Sequence, residues 1–270
     1  MKVYISADME GVSGVVHFAQ TDKDAKEYGR ACKLMTDEVN AAVEGALSAG
    51  ANEIVVNDAH GAMRNILIKS LNPAAQLISG SPKPLSMLQG VDEGCDAAFF
   101  VGYHAQVGAS LGALNHVFSR RVHRVSLNQR PVGELGLNAA LAGHFGVPVV
   151  LVTGDRALTE EARAILGDVE VVAVKEAYGM QAARCLPPSR AQALIREVAA
   201  RAVRKAAKPF VVASPTVLNV EFHQTVHAEM AELVPGSRRL DGRSVEFTGV
   251  DMLQVYRAWR AMVDLSILAE

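Results

Sequence analysis

Residues 4–11 read YISADMEG. Val3, Tyr4 and Ile5 lead in as a buried strand, and the chain then sets Asp8 and Glu10 two apart, ahead of Gly11. Residues i and i+2 of an extended segment point to the same side. Two carboxylates so placed repel each other unless a cation lies between them. An apolar strand that ends in such a pair directs attention to whatever else the chain delivers to that spot.

Working outward, the strand at 3–7 is followed by Leu34, Met35, Val39, Ala42, Val43, Ala46 and Leu47 at helical spacing, with Gly50 as a helix stop. EIVVN (53–57) is the next strand and QLISG (76–80) a short one. AAFFVG (97–102) is continuously apolar, as a strand buried on both faces should be. HRVSL (123–127) alternates and is followed by the turn NQRP, which predicts a hairpin or a sheet-edge strand. A helix over 133–145 closes at Gly146, PVVLVTGD (148–155) is another buried strand, and 170–179 extends the sheet. The alternation predicts an α/β fold: a mostly parallel sheet with helices on both faces.

LPPS (186–189) breaks the pattern. Beyond it come a helix over 190–208, a strand at 217–222, a helix at 227–233 and a strand at 244–248. The expected division is therefore a catalytic α/β domain over 1–185 and a smaller α/β subdomain over 186–250. A C-terminal helix within 251–270 packs back on the main domain.

Composition narrows the function. The 27 Lys and Arg against 29 Asp and Glu give a net charge of -2, with no electrostatic footprint for nucleic acid or an anionic membrane. The helix 190–208 carries several arginines, but they are mixed with Glu197 and alanines and read as a solvated face. Cys32, Cys95 and Cys185 are odd in number and widely spaced, which fits free thiols and an expected cytoplasmic setting. No stretch approaches the ~20 apolar residues of a membrane span.

In α/β sheets ligands gather beyond the carboxyl ends of the strands. There the sequence places Asp8 and Glu10, then Asp58 and His60, then His104, then Glu134 near a helix start, then Asp155. Singly, each has an ordinary reading: an Asp in such a loop caps a helix, and Glu134 complements a helix dipole. Jointly, Asp8, Glu10, His60, His104 and Glu134 form a nitrogen and oxygen donor set suited to zinc, and five donors suit two ions sharing a carboxylate. His223 and His227 are four apart but follow a strand pattern, without a glutamate between them, and predict no second metal site.

The blocks SADMEG (6–11), NDAHG (57–61), GYHA (102–105) and RPVGELGLNA (130–139) resemble those of the D-aminopeptidase DppA family, the M55 metallopeptidases. LISGSPKPLSM (77–87), AVK (173–175) and DML (251–253) continue the resemblance in order over essentially the whole chain. It implies an aminopeptidase with two zinc ions per subunit that acts on small peptides with an N-terminal D-residue. By the same resemblance Asp8 bridges the ions, Glu10 and His104 complete one site, and His60 and Glu134 complete the other. His116, in GALNHVF (112–118), takes the catalytic position, and a ring-like homo-oligomer, a decamer, is implied.

The expected chemistry is attack by a metal-bridged hydroxide, with His116 moving a proton or donating to the oxyanion rather than acting as nucleophile. Asp58 and Asp155 are candidates for the substrate amine and Lys175 for a substrate carboxylate. Another dinuclear-metal amidohydrolase, an L-specific peptidase and a non-catalytic metal-stabilised assembly protein remain open alternatives.

Overall fold

The computed structural model describes residues 1–269; residue 270, the last of the expected C-terminal segment 251–270, lies outside the described residues. In chain order the elements are β1 (Lys2–Ala7), α1 (Tyr28–Ser48), β2 (Glu53–Asp58), β3 (Ala75–Ile78), β4 (Ala97–Tyr103), β5 (Val122–Leu127) and β6 (Arg130–Pro131). They continue with α2 (Glu134–His144), β7 (Val149–Asp155), α3 (Arg156–Leu166), β8 (Glu170–Gly179), β9 (Ala182–Cys185) and α4 (Pro188–Val203). The chain ends with β10 (Thr216–Phe222), α5 (Thr225–Ala231), β11 (Ser237–Arg239), β12 (Ser244–Gly249) and α6 (Met252–Ile267).

The main sheet has the order β3-β2-β1-β4-β7-β8-β9, parallel except for β9. Its central strands are buried on both faces, and alternation sorts their side chains. Val3, Ile5, Ala7, Phe99 and Val101 join one core with α1 and α4. Tyr4, Phe100 and Tyr103 join another with α2 and α6. Helices therefore cover both faces, as the apolar runs predicted. The strand order reverses between β1 and β4, where a parallel sheet opens a crevice at its carboxyl edge.

The second sheet is antiparallel, in the order β11-β12-β10-β5-β6. Two of its strands come from residues 122–131, so it draws on both sides of residue 186. Helix α4 meanwhile packs on α1 over the main sheet. The expected unit 186–250 thus contributes three strands to one sheet and a helix to the other layer. The β5–β6 hairpin turns on Asn128 and Gln129, both at positive φ (47° and 68°). Positive φ at both central residues matches the right-handed strand twist. Asn128 also ties the turn to the neighbouring strand: its Oδ1 accepts from Val217 N at 2.7 Å and its Nδ2 donates to Ala213 O at 2.9 Å.

A buried polar chain joins the layers beside β1. Tyr256 on α6 donates to Asn138 Oδ1 at 2.9 Å, and Asn138 Nδ2 donates to the Tyr103 hydroxyl at 3.0 Å. Tyr103 in turn meets Ser6 Oγ at 2.7 Å, and Ser6 donates to Met87 O at 2.7 Å. Each group is satisfied, so the chain fixes the register of α2 and α6 over the sheet rather than leaving costly unpaired groups.

Candidate metal centre

The centre forms where β1, β2 and β4 end side by side, and two glycines allow the close approach. The extended path of β1 runs past Ala7, with Asp8 N donating to Val101 O at 2.8 Å and Gly11 N to Gly102 O at 2.7 Å. A Cβ on Gly11 would sit 1.7 Å from Tyr103 O. Gly102 has φ +72°, and a Cβ there would lie 2.3 Å from Asp8 O. The register of β4 against β7 shifts between Phe100 and Tyr103, around this glycine. Tyr103 returns to the face of Phe100, stacking on it at 4.7 Å, and His104 is delivered past the strand end. A bulge that re-aims a side chain beside a functional site is a recurrent device.

Asp8, Glu10, His104 and Glu134 are all at most 3% exposed, and His60 joins them with 11% of its side chain exposed. The structure brings all five together. Asp8 lies between the two imidazoles: Oδ1 is 3.4 Å from His60 Nδ1 and Oδ2 is 3.7 Å from His104 Nε2. His60 Nδ1 is also 2.9 Å from Glu10 Oε2, and His104 Nε2 is 3.5 Å from Glu134 Oε1. Glu134, first residue of α2, has its Oε1 held by Phe118 N at 2.6 Å. His116 stacks on His104, centroids 4.3 Å apart and planes 8° from parallel, with its Nε2 3.8 Å from Glu134 Oε1.

One ring nitrogen of each imidazole is taken by a backbone carbonyl. His60 Nε2 donates to Thr21 O at 3.1 Å, His104 Nδ1 to Ala105 O at 3.0 Å, and His116 Nδ1 to Leu114 O at 2.9 Å. A carbonyl can only accept, so the proton sits on that nitrogen and the other turns its lone pair toward the carboxylates. This is how metal-binding histidines are oriented and their tautomers set.

The electrostatics point the same way. Asp8 Oδ2, Glu10 Oε2 and His104 Nε2 are buried and have no hydrogen-bond partner among the described residues. Burial, then Glu10 beside it, push the Asp8 carboxyl up to about 7. Burial opposes charge on His104, but Glu134, Asp8 and Glu10 outweigh it and hold it at about 10. Burial likewise opposes a charged His60, and Glu10 and Asp8 raise it well above the usual imidazole range. Three carboxylates and inward-facing lone pairs demand positive charge, and protons supply it only by distorting these equilibria. Divalent cations satisfy the same donors, so the residues fit zinc. His116 differs: burial and then His104 push it down, which keeps it neutral.

The other charged candidates at this edge have structural duties. Asp58 accepts from Ile66 N and Asn65 Nδ2, both at 2.7 Å, shaping the loop that carries His60. Asp155 caps α3 through Leu158 N at 2.9 Å and accepts from Ala113 N at 2.6 Å. Neither is left for a substrate amine. Lys175 is buried and donates to the carbonyls of Glu10, Val12 and Val15, so it anchors the loop after β1 rather than meeting a substrate. His227 is buried on α5 and His223, just after β10, packs edge to face on His123 at 5.0 Å; among the described residues neither joins the donors of the centre.

Two cavities flank the centre. One of about 150 Å3 is lined by Asp8, Glu10, His60, Ser86, His116 and Glu134 among others. Ser86 went unremarked in the sequence: it is 1% exposed, has φ +47° and leaves its Oγ without a hydrogen-bond partner among the described residues. No pattern in LISGSPKPLSM announces it. The other, of about 580 Å3, shares Glu10, His116 and Phe118 and extends to Phe18 and Arg120.

Three comparisons with known proteins give concordant matches. A family model described as D-aminopeptidase, of peptidase family M55, matches residues 1–261. A D-aminopeptidase of Bacillus subtilis (strain 168) is 38% identical over 270 residues, covering 99% of this chain and 98% of that protein. A solved structure described as the Zn-dependent D-aminopeptidase DppA from Bacillus subtilis, a self-compartmentalizing protease, superposes with a TM-score of 0.96 at 38% identity. It covers 99% of this chain and 98% of that one. With a family model spanning nearly its whole length and that fold around a zinc-suited donor set, the chain belongs to the M55 D-aminopeptidase family of peptide hydrolases.

Proposed function

We propose that this protein is a zinc-dependent aminopeptidase that releases an N-terminal D-residue from small peptides at a dinuclear centre. The observation that carries the reading is Asp8, whose two oxygens face two separately latched imidazoles. A carboxylate in that position can serve two ions at once.

Asp8, Glu10 and His104 offer donor atoms within 4.8 Å of one another, which supports one ion on that trio. His60 and Glu134 would then hold the second with Asp8. The shortest imidazole–carboxylate contacts run instead from His60 to Glu10 and from His104 to Glu134, as protonated imidazoles would make them. Metal content of single variants separates the two partitions.

Asp8, Glu10, His60, His104 and Glu134 would hold the zinc, whose chemistry there would be Lewis-acid polarisation of the peptide carbonyl and acidification of the attacking water. The chain's own groups do the rest. Leu114 O holds His116 Nδ1–H, so Nε2 is free to take a proton and return it to the departing amine. Its neutrality suits that task, and the ring's stacking on His104 keeps it beside the reacting bond. No acyl-imidazole is needed when water is already activated.

The D preference is supported by the family description and by the Bacillus subtilis relative. That the related structure is described as self-compartmentalizing supports a large homo-oligomer here; the ring-like decamer is what the family resemblance implies, and sedimentation measures it. A cytoplasmic setting is supported by the free thiols of Cys32, Cys95 and Cys185.

The decisive experiment pairs metal analysis with matched D-Ala and L-Ala dipeptides. Two zinc ions per chain with D-selective cleavage is the expected result. Equal cleavage of the L peptide would remove the D preference and keep the mechanism. Absence of bound metal after zinc loading would remove the reading altogether.

A further inference from the structure

The outer cavity, about 580 Å3, holds a cation that pairs with no carboxylate among the described residues. Arg120 is exposed, lines that cavity together with Glu10 and His116, and forms no ion pair among the described residues. Its guanidinium carbon lies 4.9 Å over the Phe18 ring, and that ring meets the His116 imidazole edge-on at 6.0 Å. Desolvated on one face by an aromatic ring, a guanidinium keeps its planar fork free for a carboxylate.

The loop beneath it is hydrogen-bonded within itself and reaches the metal centre. Gln20 Oε1 accepts from Val16 N at 2.7 Å and His17 N at 3.0 Å, while its Nε2 donates to Gly14 O at 3.0 Å. The next residue, Thr21, supplies the carbonyl that latches His60. Phe18, and Arg120 stacked on it, are therefore placed by the same few residues that orient a metal-facing imidazole.

The other charged residues on this cavity make contacts of their own, and none forms an ion pair with Arg120 among the described residues. Glu10 faces His60, and Asp22 Oδ1 accepts from Asp24 N at 3.0 Å. Arg121 is itself engaged. Arg120 remains, separated from His116 by the width of Phe18. The two distances in series (4.9 and 6.0 Å) bound that separation to about 11 Å, and an extended peptide covers roughly 3.3–3.6 Å per residue.

We propose that Arg120 receives the free C-terminal carboxylate of the substrate, which makes this enzyme selective for short peptide acids of two to four residues. This rests on the aminopeptidase reading above, since it takes the scissile bond to lie beside His116. Apolar contact with Phe18 and Phe118 holds the residues after that bond, and the bidentate pair with Arg120 sets their length.

The test compares zinc-loaded enzyme on D-Ala-D-Ala and on its C-terminal amide. In the wild type the acid should be favoured on the order of tenfold in kcat/KM, mainly through KM. Arg120→Met keeps an apolar stem on Phe18 and should erase the acid's advantage, while Arg120→Lys should keep part of it. The proposal is overturned if the wild type does not distinguish acid from amide. It is equally overturned if the preference survives in Arg120→Met, or if that variant loses both substrates by one factor, which is the mark of a packing role. Cleavage of neither peptide by the wild type would show that the aminopeptidase reading had failed first, and the proposal with it.

Discussion

Histidines gather in two places, and the two sheets treat them differently. At the carboxyl edge of the main sheet, His60, His104 and His116 each have one nitrogen on a backbone carbonyl and the other within 4 Å of a carboxylate. In the second sheet's layer, His123 and His223 are exposed and pack edge to face at 5.0 Å, and His227 is buried on α5. Among the described residues none of these three pairs with a carboxylate. An imidazole is placed to bind a cation or move a proton where the backbone has fixed one nitrogen and strand ends have carried acids to the other. Proximity of histidines to one another does not suffice.

The strongest way to break this contrast is at Asp8. Asp8→Ala should abolish turnover and take zinc content from two ions per chain to near none. Glu10→Ala should leave close to one ion, because among the described carboxylates Asp8 alone comes within 4 Å of both His60 and His104. Metal analysis of the purified variants reads this directly. Equal loss of zinc in the two variants would sink the bridging role of Asp8.

Next comes His116. His116→Ala should cut kcat by about 10²–10⁴-fold while both ions stay bound, the range for losing a positioned acid–base group. His223→Ala, an exposed change in the other cluster, should alter neither metal content nor rate. Near wild-type turnover in His116→Ala would remove its catalytic assignment.

The contrast also shows where sequence reading succeeds. Asp8, Glu10, His60, His104 and Glu134 converge as expected because each follows an apolar strand or opens a helix, and strand ends share an edge. The same rule overreaches with Asp58, Asp155 and Lys175, which reach the edge but turn to backbone N–H and C=O groups. Which carboxylate caps and which stays free depends on loop geometry, and no spacing encodes it. The three carbonyl latches, from Thr21, Ala105 and Leu114, were invisible for that reason. So was the membership of β5 and β6 in the second sheet, since pairing with β10 spans some ninety residues of chain.

Two mid-sized effects probe how the first region is held. Gly11→Ala forces a Cβ into Tyr103 O and should cost at least about 3 kcal/mol, with zinc lost as Asp8 and Glu10 are displaced. Lys175→Met strips the ammonium from three carbonyls around Glu10 and should cost about 3 kcal/mol. Thermal melts with and without zinc measure both. A change under about 1 kcal/mol for Lys175→Met would mean that the loop after β1 holds its shape without that anchor.

The smallest effect belongs to the second region. Gln129 sits at φ +68° in the β5–β6 turn, a conformation that costs a side-chain-bearing residue roughly 1 kcal/mol and a glycine almost nothing. Gln129→Gly creates the Asn-Gly pair that such two-residue turns favour, against the larger entropy glycine has in the unfolded chain. The balance should be a gain of about 0.5 kcal/mol in a denaturant midpoint, with zinc content and kcat unchanged. The hairpin closes the edge of a sheet that contributes no donor to the centre, so its stability should be separable from catalysis. If tightening this turn altered the rate, the second sheet would have to be treated as part of the catalytic apparatus and not only as the support for α6.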